Sequence, residues 1–264
     1  TMKTIRHLLC STKIQKPLAL SSLLLPALGL TASAATLASW DNWVSGSVDG
    51  SDYDYSADAT FAGFNATMTQ VGNDTDRRTN DTWGSTDGTF GNDVSGASTT
   101  GNALFVAASY ADTLLITISN SSGQAYQIDS FHFDFAPRES GNATDYGFNA
   151  FDLTYTSGGL GPDDTLIDSQ SGLDYVLVKT TGALSNYPGY DLDLAGDLSD
   201  LVLADGESAV FTLTFSGNAG ENGVNVSSVL DNLAFEGQVI PEPSSAALIM
   251  AGCAGVLLMR RRRA

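Results

Sequence analysis

The chain is 264 residues long and carries 30 acidic against 12 basic residues, a net charge of −18, with two cysteines. That is chain enough for one sizeable core, since single all-β domains run to about 200 residues. The acidic balance excludes a phosphate-neutralising basic surface, hence nucleic acid binding, and the placing of Cys10 and Cys253 near the two ends excludes a disulfide or thiolate site in all that lies between.

Residues 1–34 contain Lys3, Arg6, Lys13 and Lys16 and no acid. An apolar stretch over 18–30 follows, interrupted by Ser21, Ser22 and Pro26, and then Ala32-Ser33-Ala34. A positive region, a short apolar region and a small-x-small site together define a secretory signal peptide, cut by signal peptidase after Ala34. The apolar stretch is shorter than the roughly 20 residues a stable span needs. The Ser pair and Pro26 weaken the competing reading, an uncleaved N-terminal anchor. No apolar run precedes Cys10, as a lipoprotein would require.

Residues 35–238 form the body. Short runs alternate apolar and polar residues with period two over 103–109, 113–119, 125–135, 148–156, 174–180, 190–194, 208–216 and 229–235. Gly, Asn, Asp and Ser separate them, and no amphipathic helix appears. Such strands bury one face and wet the other, as antiparallel sheets do. The fold class expected is all-β: an antiparallel β-sandwich, with a jelly roll as one form of it. Ala204-Asp205-Gly206-Glu207 supplies a turn. The stretch 45–101, rich in Gly, Asp, Asn, Ser and Thr, reads as long loops or two to three edge strands.

Calcium is the cofactor to test, as a structural ion. Asp191-x-Asp193-x-Ala195-Gly196 matches positions 1, 3 and 6 of an EF-hand loop but fails at 5 and at 12, which is Val202. It reads instead as a strand whose aspartates face water. Asp52 and Asp54 are loop-borne carboxylates able to wrap a cation or simply to form turns. Leu230-Asp231-Asn232-Leu233 is either a β-bulge or turn pair, or resembles the late Asp that ligates calcium in jelly-roll carbohydrate-binding modules. Nucleophilic catalysis lacks support: His132 is the only histidine between 35 and 240. It shares a strand face with Asp134 and reads as an exposed strand residue. Glycoside hydrolysis needs only two suitably spaced carboxylates, which so acidic a chain cannot fail to offer. Aromatic rings could stack on sugars; Tyr53, Tyr55 and Trp83 are the candidates, while Trp40 and Trp43 read as core anchors of the first strand.

The tail, 239–264, has three parts: Pro241-Glu242-Pro243, an uncharged apolar segment over 244–259, and Arg260, Arg261, Arg262 and Arg263. The segment is just under the usual range of about 17–25 residues for a transmembrane helix. The arginines place its far end in the cytoplasm and the body outside. The prolines keep the preceding chain extended and accessible.

In these three parts, taken in this order and paired with a signal peptide, the chain resembles proteins carrying the PEP-CTERM sorting signal of Gram-negative bacteria. The resemblance covers about 25 residues. It implies recognition by an exosortase, a membrane-embedded protease, with cleavage near Pro-Glu-Pro and release to the cell surface or an exopolysaccharide matrix. An uncleaved tail anchor is the competing reading. Cleavage at both ends would leave residues 35–240 with 4 basic and 29 acidic residues, a net charge of −25. The function expected is that of a non-enzymatic surface or matrix protein, structural, adhesive or polysaccharide-associated. A secreted polysaccharide-acting hydrolase is the alternative.

Overall fold

The computed structural model describes residues 34–43, 46–48, 53–71, 77–80, 84–86, 88–90, 94–97, 99, 103–107, 112–137, 147–174, 187–217 and 227–240. In chain order the strands are β1 (Ala35–Trp40), β2 (Gly46–Val48), β3 (Tyr53–Ser56), β4 (Ala59–Thr60), β5 (Phe64–Val71), β6 (Arg77–Asn80), β7 (Thr89–Phe90), β8 (Val94–Ser95) and β9 (Ala103–Ala107). They continue with β10 (Thr113–Asn120), β11 (Tyr126–Pro137), β12 (Ala150–Gly158), β13 (Thr165–Ser171), β14 (Gly189–Asp193), β15 (Val202–Leu203), β16 (Ser208–Ser216) and β17 (Ser227–Val239). Period-two alternation is the local cause. In β10 every second residue, from Leu114 through Ile116 and Ile118 to Asn120, is buried, and β16 buries Ala209, Phe211, Leu213 and Phe215 in the same way. β-branched and aromatic side chains suit this pleated, half-buried setting.

The strands form two principal antiparallel sheets. One runs β13-β12-β16-β10-β5-β3. The other runs β14-β11-β17-β9-β6-β2, with β1 on β17, β4 on β1 and β15 on β11. Phenylalanines join them: Phe135 stacks on Phe215 at 4.8 Å, while Phe133 meets Phe151 at 5.0 Å and Phe211 meets Phe235 at 5.0 Å. The all-β, antiparallel, sandwich-like expectation therefore holds. Each fully buried ring of this kind contributes about 3 kcal/mol by transfer from water.

Most expected strands are present within a residue or two. The run expected over 174–180 lies outside the described residues beyond Asp174. β13 has no alternating signal in sequence: it is an edge strand in which Ile167 is the only buried side chain. The stretch 45–101 contributes seven strands among the described residues. β2 and β3 lie at sheet edges, but β5 sits inside its sheet between β10 and β3. The turn at 204–207 forms, with Glu207 N donating to Ala204 O at 3.1 Å and Gly206 at φ 83. It does not close a hairpin, because β15 and β16 belong to different sheets.

β17 is the spine of its sheet. On one side it pairs with β11 from Ser228 to Val239; on the other, β9 pairs with Ser227–Leu230 and β1 with Leu233–Gly237. Between these two partners lie Asp231 and Asn232.

Candidate functional site

On β11, Phe131, Phe133 and Phe135 point into the inter-sheet core, so Ser130, His132 and Asp134 point to the opposite face. That face is covered. Phe90 and Ala97, from the β7–β8 region, pack on Ala234, and Tyr187 packs with Ala103, Phe105, Ala136 and Val229. Between these small apolar patches lies a buried polar cluster. His132 is 4% exposed and Asp134, Asp231 and Asn232 are at most 2% exposed. The expectation of an exposed His132 is thereby corrected. The cover comes from segments distant in sequence, which strand periodicity does not register.

The cluster is built around a bulge. The β11–β17 register shifts between His132↔Ala234 and Asp134↔Asp231, and Asn232 adopts φ 48. Asn tolerates the left-handed region better than other side chains with a Cβ. A residue there inside a strand marks the extra residue of a bulge. Of the two readings of Leu230-Asp231-Asn232-Leu233, the bulge is the conformation present.

Asp231 fills the gap left where β9 stops and β1 begins. Its Oδ1 accepts from Trp43 Nε1 at 3.0 Å and from its neighbour Asn232 N at 3.0 Å; its Oδ2 accepts from Ser85 N at 2.7 Å. One carboxylate thus ties together the chain after β1, the segment before β7 and the bulge. Burial pushes its pKa well above 3.8, the three N–H donors pull it back, and the Asp134 charge pushes it up further. The same chemistry acts on Tyr187, whose hydroxyl is held neutral by burial and by the charges of Asp231 and Asp134.

Asn232 Nδ2 donates to Asp134 Oδ2 at 2.9 Å. His132 continues the chain of contacts outward. Its Nε2 lies 3.3 Å from Asp134 Oδ1 and its Nδ1 donates to Asp191 Oδ1 at 2.8 Å. Asp191, on β14, is half exposed. Burial alone would lower the His132 pKa, but hydrogen bonds and charges from Asp134 and Asp191 outweigh it and the net shift is upward from 6.5. An imidazolium held between two carboxylates is a good ion pair and a poor general base.

Two acid-lined clefts flank β14. One, of about 180 Å³, is lined by Ile167, Asp168, Asp191, Leu192, Asp193 and Asp197. The other, of about 290 Å³, is lined by Ala34, Asp129, Ser130, Asp191, Asp193 and Glu236. Asp193 also caps the 3-10 turn Leu194–Gly196, its Oδ1 accepting from Ala195 N at 2.8 Å. Among the described residues no group of three or more His, Cys, Asp or Glu side chains is arranged to hold a metal ion. Asp52 and the side chain of Asp54 lie outside the described residues, as do the Tyr53 side chain and Trp83. Tyr55 is half-buried and edge-on to Trp43 at 5.3 Å, and its carbonyl accepts from Trp40 Nε1 at 3.1 Å. The signal and tail residues, Ala32, Pro241, Glu242, Pro243 and Arg260 to Arg263, also lie outside. No helix among the described residues is long and apolar enough to cross a membrane.

No family model, no curated protein and no solved structure matches the chain.

Proposed function

We propose that this is an exported, non-enzymatic protein of the cell surface or exopolysaccharide matrix, delivered by a PEP-CTERM-like tail and associated through its body with extracellular polysaccharide. The observation that carries the proposal is the three-part tail: Pro241-Glu242-Pro243, the uncharged segment over 244–259 and the four arginines. Two features of the fold support it. The last ladder-like bond, Ile240 N to Ala125 O at 2.9 Å, ends one residue before Pro241. Ala35, the first residue after the signal cleavage site, pairs with Gly237. Both processing sites therefore border the folded sheet at the same end of the body. From Ile240 to the start of the apolar segment at Ser244 the chain reaches at most about 14 Å. A soluble protease domain, more than about 25 Å across, does not fit in that gap, whereas an active site at the membrane surface does.

On this reading consecutive strands alternate between sheets (β10, β11, β12; β16, β17) in the manner of a jelly roll. Signal peptidase and an exosortase-like protease are the processing partners. Mass spectrometry of the surface form tests the proposal: the mature chain should begin at Ala35 and end close to Pro241. A surface form that retains Arg260 to Arg263 would refute the processing step.

The second reading, a polysaccharide hydrolase, draws its support from the acid-lined clefts beside β14. It requires release of reducing sugar from a polysaccharide, abolished by Asp193→Asn.

A further inference from the structure

The two outer faces of the sandwich are chemically unlike. The outer side of the β11–β17 sheet carries Asp134, Asp231 and Glu236 buried beneath the covering segments, and Asp129, Asp191 and Asp193 in reach of solvent. The central strands of the other sheet are almost free of charge on their outer side, and on its edge strand β3 Asp54 pairs with the outward Thr69. Along β5, β10, β12 and β16, Asp152 is the sole ionisable group at the outward positions, in a body of net charge −25. Threonines dominate instead, and the register sets them against one another: Thr154↔Thr212, Thr113↔Thr214 and Thr67↔Thr117.

Their arrangement is ordered. Neighbouring strands are about 4.8 Å apart and same-face residues along a strand about 6.7 Å apart, which gives a near-rectangular lattice of hydroxyl and methyl groups. Thr156 and Thr212 hydroxyls share a hydrogen bond of 2.6 Å, and those of Ser119 and Ser208 one of 2.7 Å. β-branched side chains are stiff at χ1, so contacts to this lattice lose little side-chain entropy. The face is also where apolar surface is left in water. Of the three large hydrophobic side chains exposed among the described residues, Phe61, Val71 and Leu166, two belong to it: Val71 opposite Thr113 and Leu166 opposite Thr154.

We propose that this threonine face is the surface on which the protein binds a neutral polysaccharide, in extended contact across the strands. The inference rests on the polysaccharide-associated reading above and gives it a location. A sugar polymer presents the complementary mixture, hydroxyl edges and C–H faces, and hydroxyl-to-hydroxyl contacts need no charge. A cationic partner would be drawn to the acidic clefts beside β14. An anionic polymer is repelled by the body as a whole within a Debye length. Hydroxyl and methyl contacts of this kind are individually weak, so affinity comes from many of them along a polymer, and a free monosaccharide gains little.

The test is retention of the full chain, solubilised in detergent, on insoluble cellulose and on cross-linked amylose, with alginate as the anionic control. Retention on a neutral matrix and not on alginate is expected. The double variant Thr117→Lys/Thr214→Lys should lose at least tenfold in affinity, and the near-isosteric Thr117→Val/Thr214→Val a smaller part of it. Ala195→Lys, on the exposed turn that follows β14 of the other sheet, should bind as the unaltered chain does. Circular dichroism melts at unchanged temperature would show the variants folded. If the unaltered chain is retained and both threonine variants are retained equally, the face is wrong while polysaccharide association stands. If the unaltered chain is retained on none of the neutral matrices, both readings fall. Inhibition of ice recrystallisation without retention would assign the lattice to ordered water instead, and would overturn the proposal.

Discussion

Asp231 does for β17 what a ladder partner does elsewhere. Three N–H groups from three separate segments converge on its carboxylate, so Asp231→Ala leaves all three without their acceptor in a buried place. An orphaned buried donor costs about 1–3 kcal/mol, though part of the cost is recovered by water entry and by removal of a charge that burial disfavours. We expect a net loss of about 3 kcal/mol, read as a lower urea midpoint at unchanged slope. An unchanged midpoint would mean that Trp43 and Ser85 find other acceptors. His132 makes a prediction about pH. Its folded pKa lies above 6.5 because Asp134 and Asp191 favour the charged ring more than burial disfavours it. Its stabilisation is therefore fully present below pH 6.5 and is lost as pH rises through the folded value. Asp231, with a folded pKa above 3.8, acts in the same direction: ionising it costs more in the folded protein than in the unfolded chain. Stability should thus fall from mildly acidic to alkaline pH. His132→Gln should flatten the part of that fall above pH 6.5, which chemical denaturation at a series of pH values will show.

At the scale of the elements, the central strands are those most open to sequence reading. β10, β11 and β16 alternate cleanly because one face meets the other sheet. β5 was harder to see, since two of its four inward residues are not large hydrophobes: Ala66, and Gln70, whose Nε2 donates to Phe105 O at 2.9 Å. A buried amide that donates to a strand of the other sheet breaks the apolar pattern without breaking the strand. The polar cluster shows the same limit. His132 and Asp134 alternate with phenylalanines and so look like a wet face. Their burial depends on Tyr187 and on the segments around Ser85 and Phe90, which meet them only in the folded chain. Asp231 and Asn232 were legible as a bulge pair because Asn suits φ 48, but the Trp43 and Ser85 donors, 188 and 146 residues away in sequence, were not. The hierarchy of elements predicts amide exchange. β11, β17, β10 and β16, paired on both sides, should exchange through global unfolding. The edge strand β13 should exchange through local fraying at much lower free energy. Equal protection in β13 and β16 would contradict the edge assignment.

At the scale of the whole molecule, charge is the dominant uncompensated term. A body of 206 residues with 29 acids and 4 cations must hold like charges together to fold. The acids are not spread evenly over the two sheets, for six of them lie on the outer side of the β11–β17 sheet and the threonine lattice is nearly free of them. Repulsion among the exposed acids, Asp129, Asp191 and Asp193 on that side included, is what salt relieves; the buried Asp134, Asp231 and Glu236 are screened far less. Raising ionic strength from about 0.01 M to about 1 M shortens the Debye length from about 30 Å to about 3 Å, less than the spacing of most of these carboxylates. The unfolded chain, being expanded, gains less from the same screening. Sodium chloride over that range should therefore raise the melting temperature by about 5 °C, corresponding to roughly 2 kcal/mol for a domain of this size. A flat or falling response in differential scanning calorimetry would show that the acidic face is already neutralised, by bound cations or by protons, and that the repulsion inferred from the sequence is not carried by the folded protein.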